Sequence, residues 1–431
     1  MGQGLLNDAF GRTGGTLHCE GVPLAALAEA VGTPAYVYSA RAIRERVAAL
    51  EAAVADVPHR VHYALKANAT LGVLEVLREA GVGADVVSGG ELFRARRAGF
   101  GSADIVFDGP GKTPAELRGA VQAGVRVLNV ESHAEAEQVA AIAQAEGRTV
   151  RVGLRVNPEV TVENFHHYIS TGEAGDKFGI PYDDAFAVAA YVASQPSLRL
   201  VGLHMHVGSQ LHTFDAFEEG IGKLATLITR IRAEVPSAGA TLTILDIGGG
   251  LPVAYAEGDA TADLAAYGAV VRRAHERTGC TILLEPGRLL VAEAGVLLAR
   301  VLYRKRSGGR EYVVVDAGMN DLIRPPLYDA FHAIEAVDDG EATVSADVVG
   351  PVCESGDFFG RDRVLPPVTA GALVVLRTAG AYGTVMSSNY NARPRAAEVL
   401  VDGDRFAVVR RRETYEDLVR LESESPTWRT E

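Results

Sequence analysis

Eight short β-rich runs, separated by segments of helical period, constrain this chain more than any other feature. The runs are "VHYAL" from residue 61, "GADVVS" from 83, "DIVFDG" from 104, "VRVLNV" from 125, "VRVGLRVN" from 150, "VGLHMHVG" from 201, "LTILDIGGG" from 242 and "TILLEPG" from 281. Segments such as "GGELFRARRAG" and "SHAEAEQVAAIAQAEG" lie between them and carry helix starters and stoppers. Eight strands alternating with helices predict a (β/α)8 barrel. An open doubly wound sheet is the competing fold, but no GxGxxG follows the first run.

After Pro286 the texture changes. "EYVVVDAG", "EATVSADVVGPV", "ALVVLRTAGAYG" and "AAEVLVDGDRFAVVRR" read as strands separated by turns, with little helix. This predicts an antiparallel β domain. The expected division is a barrel over residues 39–290 and a second domain made of 1–38 with 291–431.

Chemistry in such a barrel sits at the C-terminal ends of the strands. The first run ends in Lys66, in "HYALKANA". A lysine at a strand end most often snorkels, its stem packed and its ammonium in water. Its surroundings argue for more. The second run holds Asp85. The sixth ends "HMHVGSQ", with His206 and Ser209. The seventh ends in Gly248, Gly249 and Gly250. The eighth ends in Glu285, Pro286, Gly287 and Arg288. Of the two histidines, His206 is the one assigned to the mouth, and His204 is set aside as a core residue.

Each member has an ordinary explanation: a tight turn for the glycines, a core position for a histidine, an ion pair for Glu285 and Arg288. Together they fit one cofactor. A glycine turn after strand seven, with the backbone after strand eight, is where barrels hold phosphate. A lysine amine can hold an aldehyde, an imidazole can lie on a ring, and a carboxylate can keep a ring nitrogen protonated. That set points to pyridoxal 5'-phosphate (PLP).

The motifs "YALKAN", "HVGSQ", "DIGGGLP", "LEPGR", "VDAGMNDLIRPPLYDAFH", "CESGD" and "GAYGTVMSSNYNARPRAAEVLV" resemble those of fold-type III PLP-dependent decarboxylases. Within that family the resemblance is closest to the diaminopimelate decarboxylases. It runs from residue 61 to about 401, with Ala396 standing where proline is common. The resemblance implies that Lys66 carries the cofactor, His206 stacks on its ring and Glu285 meets its nitrogen. Ser209, Gly248–Gly250, the backbone of 286–288 and Tyr382 would hold the phosphate. Arg288, Arg324 and Tyr328 would grip a distal carboxylate, with Tyr382 at the substrate as well. Cys353 would donate a proton and Glu354 would bind the distal ammonium, both from the second subunit of a homodimer. The implied reaction takes meso-2,6-diaminopimelate to L-lysine and CO2, the last step of lysine biosynthesis. Planar bidentate donors suit a carboxylate. A substrate with only a distal ammonium would want acids in their place. An alanine-racemase-like enzyme, a Schiff-base aldolase, a non-catalytic homologue and a decarboxylase of a related amino acid share parts of this pattern.

Composition limits the partners. The chain has 431 residues, 48% hydrophobic and 23% charged, with net charge −13. Such an acidic surface disfavours nucleic acid. No apolar run approaches a membrane span. Cys19, Cys280 and Cys353 are few and far apart, with no disulfide framework or zinc spacing. The opening "MGQGLLNDAF" lacks the basic and apolar regions of a signal peptide. A cytoplasmic location is expected.

Overall fold

A computed structural model describes residues 9–161 and 177–422, with 425 and 428. Residues 1–8, on which the signal-peptide reading rests, lie outside the described residues. The described residues divide into two compact units: 40–293, and 9–39 with 294–422.

The first unit is a closed parallel barrel. Its strands are β1 (His59–Ala64), β2 (Gly83–Val86), β3 (Ile105–Phe107), β4 (Val127–Val130), β5 (Val150–Asn157), β6 (Leu198–His204), β7 (Ile244–Asp246) and β8 (Thr281–Leu284). Each pairs in parallel with the next, and β8 pairs back onto β1. Every run quoted above overlaps one strand. Strands covered on both faces read as near-continuous apolar runs, which is why "GADVVS" and "TILLEPG" show weak alternation. Val106, Val127, Val201, Ile244 and Leu283 form a buried cluster contributed by five strands or their neighbours.

The helices between the strands start where their caps say. Thr113 and Glu116 form a reciprocal capping box with Pro114 just inside the helix Pro114–Ala123. Ser88 and Ser132 accept backbone N–H bonds from Glu91 and Glu135 at the starts of Gly89–Arg97 and His133–Ala145. Gly268, in the helix Leu264–Thr278, comes so close to the helix Ala40–Val54 that a Cβ would sit 2.1 Å from Ala53 O.

The second unit is a sheet domain. The long strand Gly295–Ser307 pairs antiparallel with Arg310–Val315, Leu373–Leu376 and Ala35–Ser39. Two other pairings are parallel: Ala397–Asp402 with Ala35–Ser39, and Arg310–Val315 with Val344–Val349. Among the described residues, no helix is long and apolar enough to cross a membrane.

Candidate active site

Lys66 sits one step beyond β1, in a single 3-10 turn over Leu65–Ala67. The turn is braced beneath it: the Tyr63 hydroxyl donates to Asn68 O at 2.9 Å, and Asn68 Oδ1 accepts from the Thr70 N–H at 3.0 Å. Lys66 Nζ lies 4.0 Å from Asp85 Oδ2. Asp85 is buried, and neither of its carboxylate oxygens has a hydrogen-bond partner among the described residues. Burial, then the nearby Asp108, raise its carboxyl well above the usual range, while Lys66 acts against them.

The glycine turn follows β7. Gly248 is left-handed (φ 70) and Gly250 has φ 107. A Cβ on Gly249 would stand 2.3 Å from Glu285 O, so only glycine admits this approach of two strand ends. Asp246 Oδ1 accepts the Gly248 N–H at 2.9 Å, and Glu285 N–H donates to Gly248 O at 2.8 Å. The Gly249 N–H donates to His206 Nδ1 at 3.3 Å, which leaves the ring proton on Nε2 and fixes the ring beside the turn. Burial, then Lys66, hold the His206 imidazole below its ordinary range, so it is neutral.

Arg288 donates to the Tyr255 hydroxyl at 2.6 Å and to Ser209 Oγ at 3.2 Å. Tyr255 was not among the expected residues; it lies four residues after Leu251, where only a loop is legible.

The barrel interior beneath the mouth corrects one expectation. His204 is 2% exposed and lies inside, not on an opposite face from the site. Its Nε2 is 3.3 Å from Glu285 Oε2, and its Nδ1 is 3.5 Å from Asp108 Oδ1. Residues two apart share a face of a strand, so His204, the last residue of β6, points into the barrel on the side of the site rather than away from it. Asp108 also accepts a hydrogen bond from Asn129 Nδ2 at 2.5 Å. Asp108, Asn129 and Asp246 escaped the sequence reading because each looks like part of an apolar run.

Four buried carboxyls in one small volume perturb each other strongly. Burial, then Asp108, Asp246 and Asp85, keep Glu285 well above the usual carboxylate range. Burial and then Asp108 push Asp246 up to about 7. Burial works to raise Asp108 as well, but His204 leads the effects that outweigh it, and Asp108 stays below its ordinary value. Burial depresses the His204 imidazole to about 4, with Asp108 opposing.

The remaining expected residues belong to the second unit. Arg324 and Tyr328 begin and end one short helix, "RPPLY". Arg324 is buried, and its guanidinium donates to His332 Nε2 at 3.3 Å. The His332 Nδ1 lies 2.8 Å from Arg377 O, so Nδ1 carries the ring proton and Nε2 is free to accept. Cys353 and Glu354 are exposed. The Cys353 backbone N–H donates to Asn391 Oδ1 at 3.1 Å, and the Tyr390 hydroxyl donates to Glu354 Oε2 at 3.2 Å. Asn391 and Ala392 are consecutive left-handed residues, at φ 57 and 54, and Tyr382 is left-handed too, at φ 55. Non-glycine residues held there are uncommon and gather at functional sites. Thus Lys66, Asp85, His206, Ser209, Gly248–Gly250 and Glu285–Arg288 converge in the barrel unit. Arg324, Tyr328, Cys353, Glu354 and Tyr382 lie in the sheet unit.

Residues 40–292 match the family described as "Pyridoxal-dependent decarboxylase, pyridoxal binding domain". The diaminopimelate decarboxylase of Neisseria meningitidis serogroup A is 45% identical over 402 residues, covering 93% of this chain and 97% of its own. That of Pseudomonas aeruginosa is 45% identical over 420 residues, covering 97% of this chain and 100% of its own. The crystal structure of diaminopimelate decarboxylase from Helicobacter pylori complexed with L-lysine superposes with a TM-score of 0.88 at 38% identity, covering 93% of this chain and 99% of that one. On motif, fold and identity alike, this chain belongs to the pyridoxal-dependent decarboxylases, in the diaminopimelate decarboxylase family.

Proposed function

We propose that this chain binds pyridoxal 5'-phosphate at the barrel mouth and decarboxylates meso-2,6-diaminopimelate to L-lysine and CO2. The observation that carries the reading is the juxtaposition of Lys66 with buried acids and a glycine cradle. The donor set fits the cofactor. Glu285 Oε1 is buried without a hydrogen-bond partner among the described residues and offers an acceptor for a ring N–H. The Gly248–Gly250 turn carries no side chains that would keep a phosphate from its backbone. His206 offers a neutral ring face.

When bound, pyridoxal phosphate supplies an electron-poor ring that takes the electron pair left as the carboxylate departs as CO2. The chain's own groups do the rest. The Lys66 amine is the group that would hold the cofactor aldehyde until a substrate amine takes its place. Asp85, beside Lys66, accepts and returns the lysine proton during that exchange. Glu285 holds the ring nitrogen. Gly248–Gly250, Ser209, the 286–288 backbone and Tyr382 anchor the phosphate. Arg288, Arg324 and Tyr328 bind the carboxylate of the centre that does not react, and Glu354 binds its ammonium. The Cys353 thiol gives its proton to the carbon that lost CO2. Cys353 and Glu354 reach the site from the partner of a homodimer, and the enzyme works in the cytoplasm.

Purified protein supplied with PLP and meso-diaminopimelate should release lysine and CO2 in equal amounts. Racemised substrate without CO2, or no turnover with the cofactor bound, would overturn the assignment.

A further inference from the structure

Asn129, Asp108, His204 and Glu285 come from or follow four different barrel strands, yet they form a continuous line through the interior. Asn129 Nδ2 donates to Asp108 Oδ1 at 2.5 Å. His204 Nδ1 stands 3.5 Å from that same oxygen, and His204 Nε2 stands 3.3 Å from Glu285 Oε2. All four residues are at least 95% buried, so water does not mediate freely between them. Both imidazole contacts are slightly long and not aligned as full hydrogen bonds, which is common before a site is loaded.

The line resolves a conflict in the proposed site, on which this inference rests. Glu285 must be a carboxylate to face a protonated ring nitrogen. Its surroundings favour the acid: burial, with Asp108, Asp246 and Asp85 close by. The cations that also face His204 are Arg155, Lys66 and Lys112, and each disfavours an imidazolium. Only Asp108 favours one. Asp108 is itself the acid kept ionised. With Asp108 anionic, the neutral imidazole carries its proton on Nδ1, toward Asp108. Nε2 is then a lone pair facing the Glu285 carboxyl.

We propose that His204 is a positioning residue for Glu285: a cationic ring nitrogen facing Glu285 would favour its carboxylate, with the Glu285 proton taken onto His204 Nε2 while Asp108, through Nδ1–H, stabilises the imidazolium. The O–H bond of Glu285 breaks and an N–H bond of His204 forms. The number of protons in the cluster is unchanged. Glu285 is left as a carboxylate and is held by the new N–H donor. This is the geometry of an imidazole between two acids, in which one acid orients the ring and the other exchanges a proton with it. Asn129 fixes Asp108 from behind.

The test compares equilibrium binding of PLP with binding of its 1-deaza analogue, in which carbon replaces the ring nitrogen. Binding to the full apo chain is followed by absorbance and fluorescence. The wild type should favour PLP. In His204→Phe that preference should shrink by about tenfold, the weight of one hydrogen bond to a charged group. Asp108→Asn, which keeps the shape and removes the counter-charge, should shrink it too, and decides the matter if His204→Phe does not fold. A merely structural role would weaken both ligands equally and leave their ratio alone. Glu285→Gln is the control. If it abolishes the preference while the His204 and Asp108 variants keep it, the inference falls and the cofactor placement stands. If Glu285→Gln also keeps the preference, Glu285 does not meet the ring nitrogen and both fall.

Discussion

Lys66 Nζ stands 4.0 Å from Asp85 Oδ2, and the two differ sharply in exposure: the lysine side chain is 40% exposed and the aspartate side chain 1%. A buried acid beside a reachable amine holds that amine in place and gives its proton a local destination. Lys66→Ala should therefore leave a folded chain unable to attach PLP. After borohydride treatment and denaturation, wild type should retain the cofactor covalently and the variant should not. Retention by Lys66→Ala would assign the attachment to another amine.

Arg324 is buried and held by His332, so its guanidinium is oriented before substrate arrives. Arg324→Met removes the distal carboxylate's charged partner. The KM for diaminopimelate should rise by about one to two orders of magnitude, with kcat less affected. The preference over lysine, which lacks that carboxylate, should narrow. Steady-state assays with both amino acids check this. An unchanged ratio of kcat/KM values would remove Arg324 from the substrate grip.

If Cys353 and Glu354 serve the partner's site, two dead enzymes can repair one another. Lys66→Ala and Cys353→Ala are each expected to be inactive. After subunit exchange at equal concentration, half the dimers are mixed and each has one intact site. Activity should recover to about a quarter of wild type. No recovery after exchange, verified by a tag on one chain, would place both residues in the same chain's site.

Asp321, in the sheet unit, is buried, and burial raises its carboxyl from 3.8 to about 6. The folded form therefore binds a proton that the unfolded chain has already lost between those values. Its contribution is fully present below about pH 4 and is lost as pH rises to about 6. Asp321→Asn keeps an oxygen for the Gly318 N–H, which Asp321 Oδ2 now accepts at 3.0 Å. The wild type should lose stability relative to this variant across that window, by at most about 3 kcal/mol. Denaturant midpoints at several pH values measure the difference. A constant difference would mean that the Asp321 carboxyl titrates alike in both states.

Local order carried much of the design. A strand run, its end residue and the turn that follows are contiguous, so Lys66, Gly248–Gly250 and Glu285–Arg288 were legible as strand-terminal chemistry. The count of eight runs with intervening helices determined the barrel, because parallel neighbours need a crossover each time. Motifs such as "CESGD" and "RPPLY" marked functional segments without showing what braces them. Tertiary structure alone decided that Ala35–Ser39 lies parallel to Ala397–Asp402, since no pattern in either strand names a partner so distant in sequence. It also decided which histidine faces the acids. Period two puts His204 and His206 on one side of the strand, and only the closed barrel brings His204 against Asp108 and Glu285. The Asn129–Asp108–His204–Glu285 line exists only once the barrel closes and brings side-chain atoms from separate strands within 2.5–3.5 Å of one another. The charge state of those groups depends on burial and on mutual distance, and both are properties of the closed barrel rather than of any segment of the chain.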